Sequence, residues 1–237
     1  MNDKNLLDVL IFAPHPDDAE IGMGGTILKL VASGKRVGVI DLCRGELGTK
    51  GDAEIRAREV EAASRLLGLH YRGNLDLGDG RIMDTHENRL KAAEAIRRFR
   101  SPHVFTCTPQ DPHPDHRAAG EMVQAAYFLA RLPKVETESP AFSAKHCFYY
   151  FLHEMQHITF AVDITDQFEI KMDVLRAFRS QFVDPDLPPD YKYVGTSDYL
   201  RQIEAYNRTI GGRIGAVYAE GYASDRPIPL SLPTIIE

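Results

Sequence analysis

Apolar residues in this chain fall into short runs separated by longer amphipathic stretches, and the two alternate along most of its length. Leu7 to Ala13 and Val37 to Leu42 are largely apolar runs of strand length, the pattern of strands buried on both faces. Between them Ile27, Leu28, Leu30 and Val31 recur at helical spacing, so Gly22 to Ser33 is predicted as a helix closed by Gly34. The unit is therefore β-α-β. Asp52 is a ready cap for a helix over Ala53 to Leu67, where Val60, Ala63, Leu66 and Leu67 form a stripe and Gly68 supplies the stop. Asn88 to Arg100 repeats the theme, Pro102 blocks its continuation, and His103 to Cys107 follows as a strand. Pro114 then fits the first turn of a helix running to about Arg131.

Beyond Pro133 the pattern changes. Lys134 to Ala144 reads as loop, Lys145 to Leu152 and Thr159 to Val162 as strands, Gln167 to Phe178 as helix, and Asp184 to Pro189 as an extended loop. A last helix is predicted over Asp198 to Thr209, ending near Gly211-Gly212, with a short strand at Ala216 to Ala219 before a proline-spaced tail. Alternating strands and helices point to an α/β fold: a mostly parallel sheet flanked by helices, with a smaller C-terminal β/α portion. Its ligand site belongs at the carboxyl ends of the strands.

The length, 237 residues, suits a single domain over residues 1–237, with no linker-like stretch. A net charge of −6 argues against nucleic acid as a partner, because a phosphate-tracking surface needs an excess of clustered Lys and Arg. Arg97, Arg98 and Arg100 read as a solvated helix face. The first apolar run is too short for a membrane span and is followed by charges without a small-residue cleavage site, so no membrane partner and a cytoplasmic location are expected. Cys43, Cys107 and Cys147 are widely spaced in apolar surroundings and read as buried structural thiols.

Two clusters carry the chemistry: Pro14-His15-Pro16-Asp17-Asp18 and His113-Pro114-Asp115-His116, each just past a predicted strand. Either alone is as well explained by helix capping or by an acid in a first helical turn. Two His-Pro-Asp triplets at two strand ends of one sheet fit a split metal site better. His15, Asp18 and His116 match the three protein ligands of a hydrolytic zinc centre, which leaves one position for water. Asp17, the free carboxylate beside them, is the expected general base. His113 is expected to face the same pocket, with Asp115 bonding its distal nitrogen and favouring an imidazolium that steadies an oxyanion. Gly24 and Gly25 are not placed as a phosphate loop and are expected to allow close helix packing. Arg56 and the Arg44-Gly45-Glu46 turn are candidates for substrate contact.

The segments PHPDDAEIGMGGT, RGELGTKGDAEIRAREVEAASRLLG and DPHPDH resemble the PIG-L/LmbE-like family of zinc-dependent N-acetylglucosamine deacetylases. DITDQFEIKMDVLRAFRSQF and YAEGYASDRP extend the likeness towards the branch that deacetylates N-acetylglucosaminyl-malate in bacillithiol biosynthesis. The resemblance implies a Rossmann-like fold, His15, Asp18 and His116 as metal ligands, Asp17 as base, and His113 as electrostatic partner oriented by Asp115. It also implies Arg56 and a mobile tyrosine aligned with Tyr199 at the substrate pocket. Zinc is the implied cofactor, with Fe²⁺, Mn²⁺ and Co²⁺ acceptable to the same donors. The implied partners are a small N-acetylated sugar conjugate and further copies of the chain, as a trimer or hexamer. Pro16 and Arg44-Gly45-Glu46 depart from some bacillithiol-branch members, so the reaction is better indicated than the substrate. A mycothiol precursor, diacetylchitobiose or an antibiotic intermediate are the alternatives, and a non-enzymatic sugar-binding module is the reading from another class.

Overall fold

A computed structural model describes residues 6–48, 50–153, 157–182 and 197–229. The order of elements is β1 (Val9–Ala13), α1 (Asp18–Ala32), β2 (Val37–Asp41), α2 (Ala53–Leu67), β3 (Tyr71–Asn74), α3 (His86–Phe99), β4 (His103–Cys107) and α4 (Pro114–Leu129). It continues with β5 (His146–Tyr150), β6 (Phe160–Asp163), α5 (Phe168–Ala177), α6 (Arg179–Phe182), α7 (Ser197–Ile214) and β7 (Ala219–Ala223). The seven strands form one sheet in the order β3-β2-β1-β4-β5-β7-β6. β3, β2, β1, β4 and β5 are mutually parallel, and β7 runs antiparallel between β5 and β6. This is the mostly parallel α/β sheet that the alternation predicts.

The local signals explain these elements. Asp52 Oδ1 accepts from Ile55 N at 2.8 Å to start α2, and Gly68, at φ 67°, ends it. Thr85 caps α3, Pro114 opens α4, and the buried β1 residues Leu10, Ile11 and Phe12 form the centre of the core. α1, α2 and α5 pack on one another while α3 packs on α4, two helix groups that follow from right-handed crossovers running in opposite directions from β1. The chain moves outward from β1 to β3 on one side and resumes at β4 on the other. The crevice at the strand ends therefore opens between β1 and β4, where the two clusters meet.

Four elements differ from the sequence expectation. α1 begins at Asp18, so its first turn belongs to the cluster itself. β3 was not expected: YRGN is a four-residue edge strand with no apolar run. α7 passes through Gly211-Gly212 and stops at Gly215, at φ 76°. Gly211 serves close approach instead, since a Cβ there would lie 2.7 Å from the Val217 backbone. β7 occupies Ala219–Ala223 and not Ala216 to Ala219, because the charge of Glu220, which argues against a central strand, is matched inside the protein by Lys171. The loop expected at Asp184 to Pro189 lies outside the described residues.

Arg97 also corrects an expectation. It is buried, not solvated, and its guanidinium donates to the carbonyls of Ala130, Leu132 and Val135 at 2.8, 2.7 and 2.9 Å, tying the segment after α4 to α3. Cys43 and Cys107 are buried free thiols, as expected, whereas Cys147 is only half-buried. Among the described residues no helix is long and apolar enough to cross a membrane.

Candidate metal centre

The turn after β1 delivers His15 and Asp17 into the start of α1, and the turn after β4 delivers Asp111 and His113 into α4. Asp17 is the residue before α1, but its side chain makes no capping bond and its φ is 125°. Such left-handed backbone costs a non-glycine residue about 1–3 kcal/mol and persists where the surroundings impose it. Here the turn brings His15 Nδ1 to 3.1 Å from Asp18 Oδ2 and 3.2 Å from His116 Nε2, and the latter two atoms are 3.3 Å apart. Donors about 2.0–2.1 Å from a tetrahedral ion are separated by about 3.3 Å, so two imidazole nitrogens and one carboxylate oxygen with these spacings fit a zinc-type ion.

The outer nitrogens of both imidazoles end on carboxylates. His15 Nε2 lies 3.1 Å from Asp115 Oδ2 and 3.4 Å from Asp79 Oδ1. His116 Nδ1 lies 3.0 Å from Asp111 Oδ1. Such contacts select the tautomer that turns the other nitrogen inward, the arrangement common behind metal-binding histidines. Burial opposes a charged His116, but Asp18 and Asp111 outweigh it and raise its pKa to about 9. Burial likewise opposes an ionised Asp111, yet bonds from His116 and His153 hold it well below the usual carboxylate range. Asp111 also accepts from His113 N at 2.9 Å and from His153 Nδ1 at 3.1 Å.

Asp115 differs from its expected role as the partner of the His113 ring. Its carboxylate is taken by His15 and by Gly80 N, at 2.8 Å. It is the Asp115 backbone N–H that donates to His113 Nδ1, at 3.2 Å, which places the proton of a neutral His113 on Nε2. Burial, followed by the charges of His116 and His15, lowers the His113 pKa, so a neutral N–H donor replaces the expected imidazolium. Its ring stacks on His116 at 4.4 Å and meets His15 edge-on at 5.1 Å.

Asp17 is nearly buried, and that burial lifts its pKa to about 7 against the opposing pull of Arg56. Arg56, on α2, is itself buried. Its Nη2 donates to Pro16 O at 2.8 Å and lies 3.8 Å from Asp17 Oδ2, whereas Nε and Nη1 have no hydrogen-bond partner among the described residues. It thus braces the Asp17 turn. Tyr199, on α7, stacks on Phe182 with centroids 6.0 Å apart, and burial together with the negative charges of Asp18 and Asp17 raises its pKa.

Asp79, Asp111 and His153 are further members of this cluster, beyond the residues expected from the sequence. Asp111 stands in the DPHPDH segment, two residues before His113, and that position was the available signal. Asp79 and His153 lie in loops without local pattern. Beside the His15-Asp18-His116 triangle, the described residues hold three overlapping groups whose donor atoms lie close enough to share an ion, His15-His113-His116, His15-Cys43-Asp79 and Asp111-His116-His153, each containing His15 or His116. Cys43 is a thiol here, since burial pushes its pKa up to about 12 and its Sγ donates to Pro14 O at 3.2 Å.

The PIG-L family, described as GlcNAc-PI de-N-acetylase, matches residues 10–127. The diacetylchitobiose deacetylase of Thermococcus kodakarensis is 34% identical over 90% of this chain and 81% of its own length. A probable N-acetyl-alpha-D-glucosaminyl L-malate deacetylase 2 of Bacillus anthracis is 30% identical over 76% of this chain and 83% of its own. Among solved structures, the conserved protein TT1542 of Thermus thermophilus superposes with a TM-score of 0.88 at 39% identity, covering 96% of this chain and 98% of that one. The N,N'-diacetylchitobiose deacetylase of Pyrococcus horikoshii, in complex with an inhibitor, gives 0.79 at 30% identity, covering 91% and 82%. By sequence over most of its length, and by a fold that sets the two His-Pro-Asp triplets face to face, the chain belongs to the PIG-L family.

Proposed function

We propose that this chain is a metal-dependent deacetylase that hydrolyses the acetamide of an N-acetylglucosamine unit, with His15, Asp18 and His116 holding the ion. The observation that carries the reading is the triangle of inward donors, 3.1, 3.2 and 3.3 Å on its edges, with Asp17 on the adjoining strained turn. Family membership supports the same chemistry. Zinc fits the donor set, as do Fe²⁺, Mn²⁺ and Co²⁺.

When bound, the ion supplies a Lewis acid that lowers the pKa of water and polarises an amide carbonyl. Asp17 takes the proton of the attacking water, held in reach by its left-handed turn and by Arg56. His113 donates its Nε2 proton in a hydrogen bond to the carbonyl oxygen as that atom becomes negative. Collapse breaks the C–N bond. The proton stored on Asp17 goes to the departing amine, and the products are acetate and the free glucosamine unit. Tyr199 lines the sugar side of the crevice.

Two relatives name different substrates, and the charges around the site favour the neutral one. A malate conjugate brings two carboxylates and calls for free cations. Arg44 is held by Asp76 at 2.6 Å, Asp79 and Asp115 add negative charge beside His15, and buried Arg56, with Nη2 on Pro16 O, leaves only its Nε and Nη1 edge, one cation for two carboxylates. We therefore place a diacetylchitobiose-type glycoside ahead of N-acetylglucosaminyl-malate, which remains the second reading because of the 30% identical relative named for it. Acetate release from the metal-replete protein with each compound tests this. Turnover of the disaccharide is expected to exceed that of the malate conjugate; the reverse order overturns the preference, and no acetate from any N-acetylglucosamine compound overturns the function.

A further inference from the structure

We propose that the buried Lys171–Glu220 pair is a positioning device for the Asp17–Asp18 turn: it fills a break in α1 and so sets the direction of the short segment that carries Asp18. The inference rests on the reading above that Asp18 holds the metal.

α1 is not continuous. Met23 has φ −150° and ψ 21°, which separates a leading segment that begins at Asp18 from a trailing one that ends at Ala32. A break in a helix releases carbonyls on its leading side and N–H groups on its trailing side, and both need partners when buried. Both are met by side chains from the C-terminal part of the chain. Lys171 Nζ, on α5, donates to Ile21 O at 2.8 Å. Glu220, on β7, accepts from Gly25 N and Thr26 N at 2.9 and 2.7 Å. Lys171 Nζ and Glu220 Oε1 are 2.7 Å apart, and both side chains are fully buried.

The surroundings fix this pair tightly. Asn207 Oδ1, on α7, accepts from Lys171 at 3.0 Å, while its Nδ2 donates to Ala219 O. Tyr222 Oη lies 2.6 Å from Thr26 Oγ1 and donates to Glu220 Oε2 at 3.1 Å. A Cβ on Gly24 would come within 3.2 Å of the Lys171 stem, so the lysine reaches the break only past a glycine.

Core filling does not account for the arrangement. Two charges are costly to bury, and well-packed apolar residues fill such a space as well or better. Apolar residues, however, leave Ile21 O and the N–H groups of Gly25 and Thr26 unpaired. An unbroken helix would pair those groups itself but would hold Asp18 collinear with the trailing segment. The break and its polar filling free the leading segment to take the direction in which Asp18 Oδ2 meets His15 Nδ1 and His116 Nε2 at 3.1 and 3.3 Å. Lys171 and Glu220 act through the backbone of residues 21–26, as positioning residues that do not touch the reacting groups.

The test uses the full chain, freed of metal by a chelator and titrated with Co²⁺, whose visible absorption reports coordination geometry, alongside thermal unfolding of the metal-free form. Glu220→Gln and Lys171→Met are expected to bind Co²⁺ at least about 10-fold more weakly with an altered spectrum, in the range seen when groups behind metal ligands are changed. Tyr222→Phe, a milder change that keeps both charges, is expected to shift binding in the same direction by less. Ile96→Ala, a destabilised core control on α3, is expected to lower the unfolding temperature and leave Co²⁺ binding unchanged. Parent-like affinity and spectrum in Glu220→Gln, or in Tyr222→Phe if the former does not fold, overturn the proposal. Parent-like Co²⁺ affinity in His116→Ala would instead overturn the metal assignment beneath it.

Discussion

Asp115 Oδ2 lies 3.1 Å from His15 Nε2, so the second cluster supports the first directly and each His-Pro-Asp triplet depends on the other. Burial resists ionisation of Asp115, but the hydrogen bonds from His15 and Gly80 hold its pKa below the ordinary value. Asp115→Asn should therefore weaken metal binding about 10-fold or more, as changes behind metal-binding histidines do. A chelator competition assay measures it. If Asp115 acted through the His113 ring instead, turnover would fall at saturating metal while affinity stayed the same.

Removing Asp17 separates catalysis from metal binding. Asp17→Asn is expected to keep the metal and lose about two or more orders of magnitude in turnover, the usual scale for a positioned acid/base. Acetate release and elemental analysis on the same sample check both halves. Near-parent turnover would take the base role away from Asp17.

His15→Ala and His116→Ala should each lower metal occupancy, because each removes one of three donors. Full occupancy by elemental analysis in either variant would contradict the ligand assignment.

Arg97→Met should destabilise the fold without altering metal affinity. The substitution leaves the carbonyls of Ala130, Leu132 and Val135 without their charged donor. The expected loss is about 1–3 kcal/mol, the scale for leaving buried acceptors without a donor. Urea unfolding of the metal-free protein measures it, and a loss within the noise of a surface substitution would return Arg97 to the solvated face.

Acid sensitivity should have a contribution far from the site. His103 has its pKa lowered by burial first, and then by His146, whose ring stacks on it at 5.4 Å, and by Lys145. The unfolded chain thus takes up this proton at a higher pH than the folded one. His103 contributes no penalty well above the unfolded value of 6.5, and stability falls as the pH drops through that value towards the lower folded one. The urea midpoint should fall less between about pH 7.5 and 5.5 in His103→Gln than in the parent, and equal falls would remove His103 from this role.

The sequence by itself determined the elements whose signals are local: apolar β1 and β2, α2 between Asp52 and Gly68, β4 after Pro102, and α4 opening at Pro114. It also determined that His15, Asp17, Asp18, His113, Asp115 and His116 stand at strand ends, since strand-helix alternation fixes which edge a turn occupies. Only the tertiary structure decided which imidazole nitrogen faces which carboxylate, and so moved Asp115 from His113 to His15. It alone drew Asp79, Asp111 and His153 to the cluster and buried Arg97 under carbonyls that lie far along the chain. β3 and β7 escaped the sequence reading for a related reason. A short edge strand has no apolar periodicity, and a glutamate belongs inside a sheet only when a distant lysine neutralises it, a compensation that local patterning does not encode.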